Sequence, residues 1–250
     1  MNGSAAGSTT AGAKPPPIII CIICIIAIIG LPCGIIPGGI MPCGIIPGMT
    51  PAWGIMAGMP CGIMDQLCIA AGREGHATQI DCRSLEVRHV PVPDSVKVVV
   101  RFVASRTLEG SEYATRVREC AAAEAEVGPL RDAALRDLSA IGDETVRRRA
   151  IHVVSENARV ESFAMALSSY DYGLAGEIML EGHRSLAENF ATSTPVMDRA
   201  VAELADTPGV YGARMTGGGF GGCVVALCDP EARVDGWVVR ASEGARLERA

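Results

Sequence analysis

Gly212-Ala213-Arg214-Met215-Thr216-Gly217-Gly218-Gly219-Phe220-Gly221-Gly222-Cys223 is the stretch on which the reading of this 250-residue chain turns. Five glycines in six positions sit between two strand-like runs, residues 210–215 and 223–227. Without β-carbons, the backbone N–H groups of such a loop can come close to a ligand, and loops of this kind often cradle anions, phosphates above all. A plain glycine hairpin turn accounts for the same residues. The stretch lacks the Gly-Lys-Ser/Thr ending of a Walker loop, and it does not open a helix as a dinucleotide fingerprint does.

Working outward, residues 77–82 and 87–92 alternate as paired strands do, and residues 96–103 form a β-branched run suited to a buried strand. Helical patterns follow over 113–127, 129–141, 143–169, 173–190 and 195–206. Leu130, Ala134, Leu135 and Leu138 form one stripe, and Val146, Ala150, Val153 and Val154 open another. Asp143 and Glu144 suit a helix dipole, and Thr194 with Pro195 makes a capped helix start. Strands return at 210–215, 223–227 and 237–240. Strands, then a block of helices, then strands again predict an α+β fold rather than alternating βαβ units.

Composition divides the chain near Pro60. Residues 1–64 hold one charged side chain, Lys14, with 16 of the 21 isoleucines, 9 of the 15 prolines and 12 of the 29 glycines. All the acidic residues lie beyond them. Aromatics at 4% and a net charge of −6 argue against a nucleic-acid surface. Ten cysteines in 250 residues are too sparse for a disulfide scaffold and read as thiols of a cytoplasmic protein.

The expected domains are 1–59, a low-complexity apolar and Gly/Pro-rich region, and 60–250, a folded region. The apolar run 18–31 would make a helix of roughly 21 Å, short of the roughly 30 Å a membrane requires. Proline and glycine stop its extension, so membrane association is not expected, although a tether through this run is a competing idea. The tetrapeptide Pro-Cys-Gly-Ile recurs at Pro32, Pro42 and Pro60. Cys21 and Cys24 have metal-pair spacing, but two buried thiols explain them without a second ligand pair. The whole region reads as a degenerate replacement for something else.

Asp65, in Pro60-Cys61-Gly62-Ile63-Met64-Asp65-Gln66, is either a general base after a glycine turn or an ordinary helix-start aspartate. Tyr113, in Gly110-Ser111-Glu112-Tyr113, either binds a polar ligand or packs with its hydroxyl wet. His152 and His183 read as structural hydrogen-bonding residues. The run Arg147-Arg148-Arg149 reads as a solvated helix face, and Cys223 and Cys228 read as core packing.

Taken in order, CGIMDQ (61–66), GREGHA (72–77), DCRSLE (81–86), GSEY (110–113) with Arg116, HVVSENARV (152–160) and GVYGARMTGGGFGGC (209–223) resemble the galactokinase family, one of the GHMP kinases. The likeness runs from about Pro60 to Ala245. It implies a GHMP-kinase-like C-terminal lobe with a remnant of the N-terminal lobe. It further implies ATP-dependent phosphorylation of galactose at its anomeric hydroxyl, in the cytoplasm. Asp65 matches the family's catalytic aspartate, Gly62 and Tyr113 match sugar-contacting positions, and Gly217, Gly218, Gly219, Gly221 and Gly222 match the loop beside nucleotide and sugar. Galactose and ATP are the implied partners, with Mg2+ as the implied ion.

The likeness also has gaps. The family's amino-terminal run of arginine, glutamate, histidine and aspartate is absent, as is its glycine-serine phosphate loop. No arginine or acidic residue precedes Asp65, so the usual Mg2+ ligands are not found and no metal-binding residue is assigned. Gly182 stands where the family favours serine. The family's helix between the last two strands is missing, which strips cover from one sheet face. The expectation is a galactokinase-like chain with little or no turnover; the alternative is a non-catalytic sugar- or partner-binding module.

Overall fold

The computed structural model describes residues 35–36, 39–40, 64–105 and 112–245. Gly62, the apolar run 18–31 and the Cys21–Cys24 pair lie outside them. A two-residue pair, β1 (Ile35–Ile36) and β2 (Gly39–Ile40), comes first. Then come α1 (Met64–Ala71), the hairpin β3 (His76–Ile80) and β4 (Val87–Pro91), and β5 (Lys97–Ala104). Helices α2 (Tyr113–Val127), α3 (Glu144–Ser168), α4 (Tyr172–Glu188) and α5 (Pro195–Ala205) follow. The strands β6 (Val210–Thr216), β7 (Gly222–Cys228) and β8 (Trp237–Val239) close the described chain. The fold is α+β.

The main sheet has the order β6-β7-β5-β8, with every neighbouring pair antiparallel. Alternate residues feed two cores, as the two-residue period of a strand demands. Val98, Val100, Val225 and Leu227 face a cluster with Cys68 of α1, Phe163 and Leu167 of α3, and Met179 of α4. Val99, Val224, Ala226 and Met215 face a second cluster with Cys120 of α2, Val153 of α3, and Met197 and Leu204 of α5. Burial on both faces explains why Val98, Val99 and Val100 form an unbroken apolar run at the centre of the strand.

Among the described residues, strand β6 has a strand neighbour on one side only, and α4 covers the other. The two backbones touch: a β-carbon on Gly176 would lie 1.9 Å from the Tyr211 carbonyl oxygen, and one on Gly212 would lie 2.2 Å from that of Gly176. His183 Nδ1 accepts the Met215 N–H at 3.3 Å, so the helix also satisfies an edge donor. Covering the edge in this way prevents pairing with another chain.

Caps agree with the sequence. Asp143, Asp171 and Thr194 each accept a backbone N–H at the start of α3, α4 and α5. One expected helix is corrected: 129–141 is a turn followed by a 3-10 helix, Leu135–Ala140. Leu130 and Leu138 are buried, but Leu135 is exposed. The reason is tertiary. Arg131 pairs with Asp81, and Arg83 with Asp132, so the turn is tied to the β3–β4 connection before a helix can start.

The short connection from β7 to β8 is held by Lys97 Nζ, which donates to the Pro230 carbonyl at 2.8 Å and to that of Ala232. Trp237 and Val238, adjacent on the edge strand β8, stay 44% and 57% exposed. Cys68, Cys120, Cys223 and Cys228 form no disulfide, and Cys82 is disulfide-bonded, which corrects the all-thiol reading. Burial pushes the Cys120 thiol up to about 12 and the Cys228 thiol to about 11, as inert core residues require.

Candidate functional site

The glycine-rich loop joins β6 to β7, whose register ends at Thr216 opposite Cys223. Its backbone is left-handed at Gly219 (φ 84°) and at Phe220 (φ 59°), the latter a conformation that L side chains rarely adopt. The loop rests on the α4–α5 connection. Phe220 N–H donates to the Thr192 carbonyl at 2.7 Å, and a β-carbon on Gly219 would sit 2.5 Å from that same oxygen. Thr192 in turn donates its N–H to Leu186 at 3.0 Å, after a left-handed Ala191 (φ 52°). Gly219 is therefore required by packing against protein.

Beneath the loop lies a buried polar layer. Arg214 Nη1 donates to Glu156 Oε1 at 2.8 Å, and Arg159 donates to the other oxygen of this fully buried carboxylate. Burial works to raise the Glu156 carboxyl, but the charge of Arg214, with His152 and Arg159 behind it, outweighs burial and holds it below the ordinary range. Gly182 sits against this pair: a β-carbon there would meet Arg214 Nη1 at 2.7 Å. A side chain at this position must displace a buried guanidinium.

His183 faces the Asp198 carboxylate through Nε2 at 3.2 Å, and Ser193 Oγ donates to the same carboxylate oxygen at 2.5 Å. With Nδ1 accepting from Met215, the proton of the neutral ring sits on Nε2. Burial, chiefly, lowers the His183 pKa, against the pull of Asp198. His152 Nδ1 lies 2.9 Å from Ser185 Oγ, and its ring packs on Phe190 at 4.6 Å. Both histidines are structural, as their helical setting suggests.

Asp65 is the second residue of α1. The far end of that helix is held by His89, whose Nε2 lies 2.7 Å from the Ala71 carbonyl oxygen, and by Ala245 N–H donating to Ile69 at 2.7 Å. Its buried face enters the core through Cys68. Tyr113 opens α2 and is half-buried. One turn on, Arg116 is buried and donates to Glu112 Oε2 at 2.8 Å and to Glu119. Among the described residues no group of three or more His, Cys, Asp or Glu side chains gathers as a metal site would. No step below runs through a metal ion.

One reading of the sequence is overturned here. Arg149 is not on a solvated face: it is 7% exposed, donates through Nε to Glu119 Oε2 at 2.8 Å, and reaches the Asn189 carbonyl through Nη1. A signal was available, because Arg149, Val153 and Glu156 fall at helical spacing on one stripe with the core. Thr192 carried no comparable signal, since its contribution is a backbone carbonyl.

Residues 164–236 match the family model described as GHMP kinases C terminal. The glycine-rich loop, the two strands it joins, Gly182 and Arg214 fall inside that span, while β5, β8, Glu156 and Arg159 lie outside it, so it is residues 164–236 of the chain that carry the likeness to a GHMP kinase C-terminal region. Within that class its likeness is to galactokinase. It is 45% identical over 184 residues to the galactokinase of Homo sapiens, across 70% of this chain and 47% of that protein. It is equally identical over 181 residues to the galactokinase of Canis lupus familiaris, across 69% and 46%. The crystal structure of Lactococcus lactis galactokinase complexed with galactose superposes with a TM-score of 0.67 at 30% identity, covering 71% of this chain and 49% of that one. The chain spans about half the length of the curated relatives it matches.

Proposed function

We propose that residues 60–250 are a galactokinase-like region that recognises galactose and ATP, with 1–59 a separate segment. In this reading Asp65 takes the proton of the sugar's anomeric hydroxyl. The freed oxygen forms a bond to the γ-phosphorus as the bond to the β–γ bridging oxygen breaks and ADP leaves. A positioned base contributes roughly 10²–10⁴-fold to such a step. Gly62 and Tyr113 contact the sugar. Gly217, Gly218, Gly219, Gly221 and Gly222 hold the sugar and nucleotide sides together, and alignment does most of the remaining work in phosphoryl transfer.

The observation that carries this reading is the 45% identity over 184 residues with a galactokinase. The reading also has this chain turning over little. The 64 residues ahead of Asp65 carry Lys14 as their sole charged side chain, so they supply neither an arginine to partner the aspartate nor an acid to hold an ion. The second reading, a non-catalytic sugar-binding module, rests on the same fact.

Purified chain is tested for galactose-dependent ADP release, and galactose binding is measured by calorimetry with and without ATP. The expected result is weak galactose binding with negligible release. Robust saturable release overturns the loss of turnover, and no heat with galactose in either condition overturns the sugar site.

A further inference from the structure

We infer that Arg149 is a positioning residue that ties the helix turn bearing Tyr113 to the glycine-rich loop. The chain of contacts is continuous. Glu112, beside Tyr113, accepts from Arg116 at 2.8 Å, and Arg116 donates to Glu119. Glu119 Oε2 accepts from Arg149 Nε at 2.8 Å, and Arg149 Nη1 donates to the Asn189 carbonyl at the end of α4. Asn189 leads within three residues to Thr192, whose carbonyl receives the Phe220 N–H of the loop at 2.7 Å.

Three features make this a device rather than a surface salt bridge. Arg116 and Arg149 are 5% and 7% exposed and share the Glu119 carboxylate, with Glu112 a second partner for Arg116 alone. Burial works to raise the Glu119 carboxyl, but hydrogen bonds from both arginines hold it ionised below the ordinary range. The Asn189 carbonyl is a helix C-terminal acceptor with no intrahelical donor, and a guanidinium satisfies it while keeping a second direction for Glu119. Lysine carries the charge but has no rigid fork to serve both. Arg148, one residue earlier and exposed, donates to the Glu188 carbonyl without touching the relay.

The importance of this tie for catalysis rests on the proposed active-site reading; the order of the loop does not. The test is amide hydrogen exchange on the full chain for R149K, with R148K as control. The expected result is exchange at Thr192 and Phe220 faster by about tenfold or more, with the β7 amides of Val225 and Ala226 changed by less than about twofold. R148K is expected to leave Phe220 unchanged. Gly219→Ala breaks the same contact from the loop side, so adding R149K to it is expected to produce no additional rise at Phe220. Unchanged Phe220 exchange in R149K, an equal rise across β7, or full additivity with Gly219→Ala overturns the inference. Calorimetry with galactose on the same proteins separates the two claims. A loosened loop in a wild-type chain that never bound galactose sinks the sugar site alone, while galactose binding with an unaffected loop sinks the tie alone.

Discussion

His152 is fully buried, and burial pushes its pKa down to about 3. As pH falls below the ordinary histidine value of about 6.5, the unfolded chain gains a proton that the folded chain refuses. Stability therefore falls with pH in the window between about 6.5 and 3, by at most about 1.4 kcal/mol per pH unit for this group. His183 shifts in the same direction and adds to the slope. His152→Asn keeps an acceptor near Ser185 and removes the titration. Urea midpoints measured from pH 7 to 4 are expected to fall less steeply in this variant, and an identical slope would count against a buried neutral ring. Arg149 teaches a related lesson: a charged side chain in a charged run was read as solvated, yet its place on the Val153 and Glu156 stripe was visible.

The contact between α4 and β6 belongs to the scale of elements. Two backbones approach at Gly176 and Gly212, and neither position has room for a methyl group. Gly176→Ala must push the helix off the strand, and overpacking of this kind costs about 1–3 kcal/mol or more. A chemical denaturation midpoint lower by that amount is expected, with a loss of protection at the Met215 amide; an unchanged midpoint would show that the helix does not seal this edge. The helices themselves were legible, since Asp143, Asp171 and Thr194 cap as their residue types predict. Residues 129–141 were misread because a 13-residue helix is marginal by itself, and two bidentate ion pairs to the β3–β4 turn hold its first turn in another shape.

At the scale of the molecule, Glu156 and Arg214 join the helical layer to the sheet as a buried pair. Glu156→Gln leaves the Arg214 charge buried with its countercharge gone, and breaking one side of a buried pair costs roughly 3–5 kcal/mol. Replacing both, as Glu156→Leu with Arg214→Met, removes the desolvation penalty of this pair along with its attraction and leaves only the partly exposed Arg159 without its carboxylate, so most of that loss is expected to be recovered. Equilibrium unfolding of the three proteins checks both statements; a double variant as unstable as the single one would show that the pair holds the layers together by more than mutual neutralisation. The same scale carries the functional proposal. The matched region covers about half of a galactokinase, and Asp65, Tyr113 and the glycine loop reach one site only if the long stretches between them fold as they do in the relatives.

Local features were readable from residues alone, because they depend on neighbours a few positions away. The two-residue alternation of the strands, the helix caps and the turn at 217–222 are all of this kind. The α+β class followed from their order. What the tertiary structure decided was which residues far apart in the chain would meet: Thr192 beneath Gly219, Gly176 against Gly212, and Arg149 between Glu119 and Asn189. Such meetings are set by how two faces of a sheet are shared among five helices, and a backbone carbonyl or an absent methyl group leaves no mark in the pattern of side chains that could announce its partner.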